Sequence, residues 1–309
     1  MPKRILIDCD PGIDDALALA LAHGSPELDV VGLTTVGGNT DLDRTTENAR
    51  CLADYYGLVV PVVRGAGRPL VRAPRTARDV HGESGLGGVL LPPATTPPDD
   101  RHAVDFIVDA LAAAPGEISL VAVGPLTNIA LALHKEPRIA EWAAEFVVMG
   151  GSYTRGNNTP AAEFNIAADP EAAAVAFDAP WRPVMIGLDL THQARANAEV
   201  RTRFCGLGRL ETELISPCLD FYGQHPSYRD GGPAIHDACA VAYAIAPELF
   251  RTAPARVDVE TWGRFTSGMT VTDFAAPDPN TDVATDLAAD RFWDLVTEAF
   301  TRVAEHLPG

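Results

Sequence analysis

Apolar and polar positions along this chain switch repeatedly between two periods. Arg4–Asp8 is a short apolar run and reads as a buried strand, Asp14–His23 reads as a helix, and Pro11-Gly12 makes the turn between them. Asp29–Thr35 and Val59–Arg64 read as the second and third strands. Between them Thr40–Tyr56 reads as a helix, with Thr40 or Asp41 as its N-cap. This βαβαβ opening implies a parallel sheet covered on both faces. The alternation continues with helices over Arg101–Ala114, from Thr127, and over Pro170–Asp178. Strands are predicted at Ile118–Val123, Phe146–Met149 and Val184–Leu188. Residues 198–223 read as helical with a break near Gly206-Leu207-Gly208, and His236–Ile245 as a helix. Val257–Glu260 and Met269–Thr272 look like a hairpin, Val283–Asp286 a short strand and Arg291–Glu305 the last helix.

The predicted fold is α/β: an open, mostly parallel, Rossmann-like sheet flanked by helices, with a small C-terminal β-hairpin. No repeat or linker is visible, so residues 1–309 are expected to form one domain. Three polar stretches interrupt the pattern, at 65–100, 150–169 and 224–235. In open parallel sheets ligands bind beyond the carboxyl ends of strands, and these stretches follow such ends.

The first of those strand ends carries the strongest local signal. Asp8-Cys9-Asp10-Pro11-Gly12-Ile13-Asp14-Asp15 places four carboxylates within eight residues. Like charges crowded into a partly buried turn raise one another's pKa, and a divalent cation relieves the cost. Hard oxygen ligands favour Ca²⁺ or Mg²⁺ over Zn²⁺. A helix N-terminus that favours acidic residues explains Asp14 and Asp15, but not Asp8 and Asp10 on the strand. Phosphatases of the haloacid-dehalogenase type also open with DxD after a strand. They need a later phosphate-binding lysine, and here Pro11 follows the motif and Lys135 is the one late lysine.

Composition narrows the ligand. The net charge is −18, with 47% hydrophobic and 21% charged residues, as in a soluble enzyme that would be repelled by DNA, RNA or an anionic membrane. Five cysteines without a CxxC, and no signal peptide before the first strand, make a reducing, cytoplasmic setting the expectation. The run Ala16–Ala22 is too short to span a bilayer.

Further motifs follow the first in order. They are Thr35-Val36-Gly37-Gly38-Asn39, His81-Gly82-x-x-Gly85-Leu86-Gly87-Gly88, Gly124-Pro125-Leu126-Thr127-Asn128, Met149-Gly150-Gly151, the segment Asn157–Asn165, and His236-Asp237. As a set, from about residue 3 to about residue 300, the chain resembles the nucleoside hydrolases, the inosine-uridine-preferring family. The resemblance implies Ca²⁺-dependent hydrolysis of ribonucleosides to ribose and base. It makes Asp10, Asp15, the Val123 carbonyl and Asp237 the metal ligands, with Asp10 also the general base that activates a metal-bound water. Asp14, Asn39, Asn157, Glu163 and Asn165 would grip ribose, and Met149 and Phe164 would line its pocket. His81, Gln224 and His236 would lie near the base, His236 as its proton donor. The resemblance also implies a homodimer or homotetramer, a role in nucleoside salvage or catabolism, and a small-molecule nucleoside as partner.

These residue types suit the chemistry. Cleaving an N-glycosidic bond passes through an oxocarbenium-like sugar, which carboxylates stabilise. Water needs a base, the sugar hydroxyls need acceptors, and the leaving base needs a proton, for which histidine has a suitable pKa. A neutral nucleoside needs no Lys/Arg cradle, and the motifs supply none. His23, His102, His134, His192, His225 and His306 fall outside the motifs and are read as structural or solvated. A different or modified N-riboside, or a non-catalytic nucleoside-binding protein, are the alternatives. A mere binder has no need of Asp10.

Overall fold

The computed structural model describes residues 1–228 and 231–307. Its strands are β1 (Lys3–Cys9), β2 (Leu28–Thr35), β3 (Val62–Arg64), β4 (Ile118–Ala122), β5 (Glu145–Met149), β6 (Val184–Ile186), β7 (Phe250–Val259), β8 (Thr270–Asp273) and β9 (Thr281–Leu287). They form one nine-stranded sheet in the order β3-β2-β1-β4-β5-β6-β9-β7-β8. Pairing is parallel from β3 across to β9, and antiparallel only where β7 meets β9 and β8. The α/β, mostly parallel open sheet with its C-terminal hairpin is therefore as the sequence predicts.

Both faces of the sheet are covered, which explains the unbroken apolar strands. Ile5 and Ile7 of β1 join the core on one face while Leu6 joins the core on the other. Val121 and Leu120 of β4 divide the same way. Helix Ile13–Gly24 is buried along nearly its whole length. Its Ala/Leu composition is apolar all round, as a helix enclosed by neighbours must be.

Several expected boundaries move. Asp41, not Thr40, caps helix Leu42–Tyr56, accepting from the Arg44 N–H. Strand Val59–Arg64 shortens to Val62–Arg64, because Val59 is 96% exposed and Pro61 has no N–H for a ladder. The strand expected over Val184–Leu188 ends at Ile186, and Leu188–Thr191 is a helical turn. Short helices occupy two of the polar stretches, Arg78–His81 and Phe164–Ala168. Residues 198–223 divide into helix Ala198–Arg203, a wider π turn Leu210–Ile215 and helix Ser216–Tyr222. Strand β7 begins at Phe250, seven residues before the expected hairpin. Its first half pairs with β9, a long-range partner that no local pattern announces.

The carboxyl ends of β1, β2, β4, β5 and β6 all open on one edge of the sheet. They deliver Asp10, Asn39, Val123, Met149 and Thr191 to that edge.

Candidate active site

Asp10 lies at the bottom of the site, fully buried. Its Oδ2 accepts the Asn39 backbone N–H at 2.7 Å, while Oδ1 is buried without a hydrogen-bond partner. The fit leaves no room for side chains on either side. A Cβ on Gly38 would stand 2.1 Å from Asp10 Oδ2, and one on Gly124 would stand 2.5 Å from Oδ1. Asp15 accepts the backbone N–H groups of Asp10 (3.1 Å) and Gly12 (2.8 Å) and the Asn39 side-chain amide (3.1 Å). Asn39 thus ties the two carboxylates together.

Asp14, Asp15 and Asp237 converge so that their carboxylate oxygens lie within 4.8 Å of one another. Helices Ile13–Gly24 and His236–Ile245 bring them there, and both point their N-termini at the site. The partial positive charge of those ends favours anions. The Asp14 carboxylate also accepts the backbone N–H of His236. This support is incomplete. Burial pushes the pKa of Asp10, Asp15 and Asp237 up from the carboxylate range, and neighbouring charges push Asp10 and Asp237 further. Asp14 is raised to about 8 by burial and then by Asp15. Asp15 and Asp237 lie close enough for each carboxylate to disfavour ionisation of the other unless a proton or a cation stands between them. A divalent cation among these oxygens would allow all to ionise. The donor set is oxygen alone, so the residues fit a hard cation.

Above this floor opens a cavity of about 370 Å³, within the range of roughly 300–1,000 Å³ usual for small-molecule sites. One wall comes from the Phe164–Ala168 helix. Glu163 is its N-cap and accepts backbone N–H groups from Gly151 (3.0 Å), Asn165 (2.8 Å) and Ile166 (3.1 Å). Asn157 Oδ1 accepts the Phe164 N–H at 3.0 Å. The Asn165 amide donates to the carbonyls of Val123 (2.9 Å) and Met149 (3.1 Å). Val123, Met149, Asn157, Glu163, Phe164 and Asn165 line the cavity.

The opposite end is histidine and tyrosine. His81 Nδ1 accepts the Ile13 backbone N–H at 3.1 Å, and its ring packs on Tyr222. His236 Nδ1 lies 2.7 Å from Thr191 Oγ1 and its Nε2 lies 3.1 Å from the Tyr228 hydroxyl. Burial lowers both histidines to about 3, so each imidazole is neutral near pH 7.

The family model of the inosine-uridine preferring nucleoside hydrolases matches residues 5–294. A curated member from Leishmania major is 47% identical, with 99% of each chain covered. A pyrimidine-specific ribonucleoside hydrolase of Escherichia coli is 41% identical over 96% of this chain and 98% of its own. Among solved structures, a purine-preferring ribonucleoside hydrolase from Gardnerella vaginalis superposes with a TM-score of 0.92. It is 31% identical and covers 98% of this chain and 99% of its own.

The chain belongs to the inosine-uridine preferring nucleoside hydrolase family. It is a nucleoside N-ribohydrolase, and ribonucleoside N-glycosidic bonds are what it hydrolyses.

In this nucleoside hydrolase the expected site residues divide unevenly. Asp14, Asn39, His81, Val123, Met149, Asn157, Glu163, Phe164, Asn165, His236 and Asp237 all line the cavity, with Asp10 and Asp15 buried beneath it. Gln224 does not. Its side chain is exposed and donates to the Asp220 carbonyl at 3.3 Å, back along the helix it follows. The grouped carboxylates are Asp14, Asp15 and Asp237, so Asp14, read from sequence as a ribose residue, stands among the candidate ligands. The Val123 carbonyl, expected to face a metal, accepts from Asn165. Sequence reading passed over His192, Arg195, Tyr222 and His225, which all line the cavity. Arg195 also means that the pocket is not devoid of arginine. His192 and Arg195 follow the carboxyl end of β6, so the strand-end rule applied there would have found them. Tyr222 and His225 carry no such signal, because only the docking of their helix end brings them to the cavity.

Proposed function

We propose that this nucleoside hydrolase works with one Ca²⁺, and that Asp10 is the general base of the reaction. Asp10, Asp15, Asp237 and the Val123 carbonyl would hold the cation, with Asp14 close enough to share it. When bound, the cation keeps the carboxylates ionised and acidifies water at its surface. The observation that carries this reading is the unpartnered, fully buried Asp10 Oδ1 beside three converging carboxylates. An acceptor left empty at such a depth is costly unless a proton or cation comes to it.

The remaining groups have roles that follow from their positions. Asp14, Asn39, Asn157, Glu163 and Asn165 take the ribose hydroxyls, with Met149 and Phe164 packing on the sugar. Developing positive charge on the ring is met by the carboxylate floor. His81 and His236 serve the base. Neutral His236 carries one ring N–H, and it would give that proton to the leaving base and regain one from solvent along its contact with the Tyr228 hydroxyl. Residues 1–309 act as one domain in nucleoside salvage or catabolism. Five free cysteines support a reducing cytoplasm, and a dimer or tetramer is the proposed assembly. Among the described residues no helix is long and apolar enough to cross a membrane.

The test is reducing-sugar release from inosine, uridine, cytidine and adenosine, with wild type beside Asp10→Asn, each with chelator and with Ca²⁺ restored. Ribose release that needs both Asp10 and Ca²⁺ is expected, and the rate order gives the base preference. Asp10→Asn with unchanged turnover would remove Asp10 as the base. Full activity in chelator would remove the metal.

A further inference from the structure

Asn128 stands in the first turn of helix Thr127–Lys135, fully buried and outside the lining of the cavity. A polar side chain at that depth needs partners, and its amide has them on both sides. Nδ2 donates to Asp8 Oδ1 at 2.8 Å and to the Thr35 carbonyl at 3.0 Å, while Oδ1 accepts the Ala66 N–H at 2.8 Å. Two acceptors face one end of the amide and a donor faces the other, which fixes its orientation. Asp8 is itself held, since its Oδ1 also accepts the Thr34 hydroxyl at 2.5 Å. The space is tight as well. A Cβ on Gly65 would stand 2.3 Å from Asn128 Oδ1 and 2.5 Å from Nδ2, so the backbone there rests on the amide. A longer amide has no room, and an acid of the same shape would set a second acceptor against Asp8.

The three partners belong to three segments that surround Asp10. Asp8 lies on β1, two residues before Asp10. Thr35 ends β2 and leads into Gly37-Gly38-Asn39. Ala66 follows β3, and its carbonyl accepts the Gly37 N–H at 2.9 Å. From there Gly38 closes on the Asp10 carboxylate, and Asn39 donates its N–H to Asp10 Oδ2 at 2.7 Å. Chain and hydrogen bonds thus close a ring from Asp10 through Asp8, Asn128, Ala66, Gly37 and Asn39 back to Asp10. Gly37 and Gly38 have no side chains with which to hold this seat, so it is held through its backbone.

We propose that Asn128 is a positioning residue for the hydrolysis. It touches no reacting atom. It ties the strand that bears Asp10 to the segment that seats the Asp10 carboxylate, and so sets where that carboxylate points. This positioning presupposes that Asp10 is the base. A buried amide that served the fold alone would lower stability when removed and leave the chemistry of folded molecules unchanged. A positioning amide costs turnover in molecules that are folded, and only while Asp10 is there to be aimed.

Ribose release from inosine by the full chain with Ca²⁺, measured below the melting transition of each variant, separates the two. Asn128→Ala is expected to lower kcat by about 10²-fold with KM little changed, as for a base misplaced by a fraction of an ångström. Made in the Asp10→Asn chain, the same change is expected to alter the residual turnover by less than about 3-fold, because effects that pass through one group do not multiply. Equal fold-losses in the two backgrounds, or wild-type kcat in Asn128→Ala, would overturn the positioning and leave the base in place. Wild-type turnover in Asp10→Asn would overturn the base and the positioning with it. Should Asn128→Ala not fold, Gly65→Ala takes its place. The added Cβ pushes the amide away from Ala66 yet removes no polar group, and the same pattern and the same reversals apply.

Discussion

The floor of the cavity and its histidine- and tyrosine-lined end are built by different means. The floor is made by neighbours in sequence. Asp8, Asp10, Asp14 and Asp15 leave one strand and enter one helix, and backbone N–H groups fix Asp10 and Asp15 from below. Every one of these carboxylates is nearly or wholly buried. The histidine- and tyrosine-lined end is collected from four places: the Arg78–His81 turn, the residues after β6, the end of helix Ser216–Tyr222, and His236. His192 and Gln224 there are exposed. A rigid floor suits the step every substrate shares, and an assembled rim can change without disturbing it. Relatives named for pyrimidine and for purine preference share this family and this fold.

That contrast can be tested in order of expected effect. Asp10→Asn removes the proposed base and is expected to lower kcat by on the order of 10²–10⁴-fold, with substrate binding retained by calorimetry. Equal loss in kcat and binding would mean that the floor holds substrate and does no proton transfer. Gly38→Ala changes no functional group, yet its Cβ would meet Asp10 Oδ2 at 2.1 Å. Displacing the base by even a fraction of an ångström is expected to lower kcat by about 10²-fold, with KM little changed.

The floor also predicts a pH dependence for the metal-free chain. Asp8 is raised from 3.8 to about 7 and Asp14 from 3.8 to about 8, in each case by burial first. Their folded pKa values exceed the unfolded ones, so the unfolded chain binds fewer protons between these limits. Buried His81 and His236, lowered from 6.5 to about 3, oppose this below about pH 6.5, so stability falls as pH rises from about 6.5 towards 8, and is regained on adding Ca²⁺. Thermal melts in chelator at pH 6.5 and pH 8 check the sign. A higher melting temperature at pH 8 would show that the carboxylates are satisfied without a cation.

Changes at the rim should be milder. Tyr228→Phe removes one hydrogen bond to His236 and is expected to cost up to about 10-fold in kcat/KM, unequally among bases. Gln224→Ala is expected to change kcat/KM by less than about 2-fold for any nucleoside, because an exposed side chain paired to its own helix loses little. A large loss from Gln224→Ala would mean that the rim rearranges around substrate.

Legibility followed the same division. The Asp8–Asp15 cluster could be read directly because a strand, a tight turn and a helix N-terminus force neighbouring residues to one point. Asn39, Val123 and Met149 were named by the family resemblance, and the structure sets Asn39 and Val123 after β2 and β4 and Met149 at the end of β5, strands of a parallel sheet whose ends share one edge. Glu163 was expected to grip ribose, and its carboxylate caps the Phe164–Ala168 helix while it lines the cavity. Gln224, expected near the base, stands two residues past the end of helix Ser216–Tyr222 with its side chain exposed, because nothing local fixes the rotation there. β7 was half missed because Phe250–Ala255 exists as a strand only through its pairing with β9.

By itself the sequence determined the layered α/β fold, the edge at which chemistry collects, and the acidic cluster, because periodicity and short-range geometry suffice for all three. Tertiary structure alone decided which carboxylates converge, since Asp237 comes from a helix more than two hundred residues away. It also decided that the Val123 carbonyl meets Asn165, and that His192, Arg195, Tyr222 and His225 face the cavity while Gln224 turns away. Those outcomes depend on how separate helices dock on the sheet, and docking is set by packing over long sequence separations that no local pattern encodes.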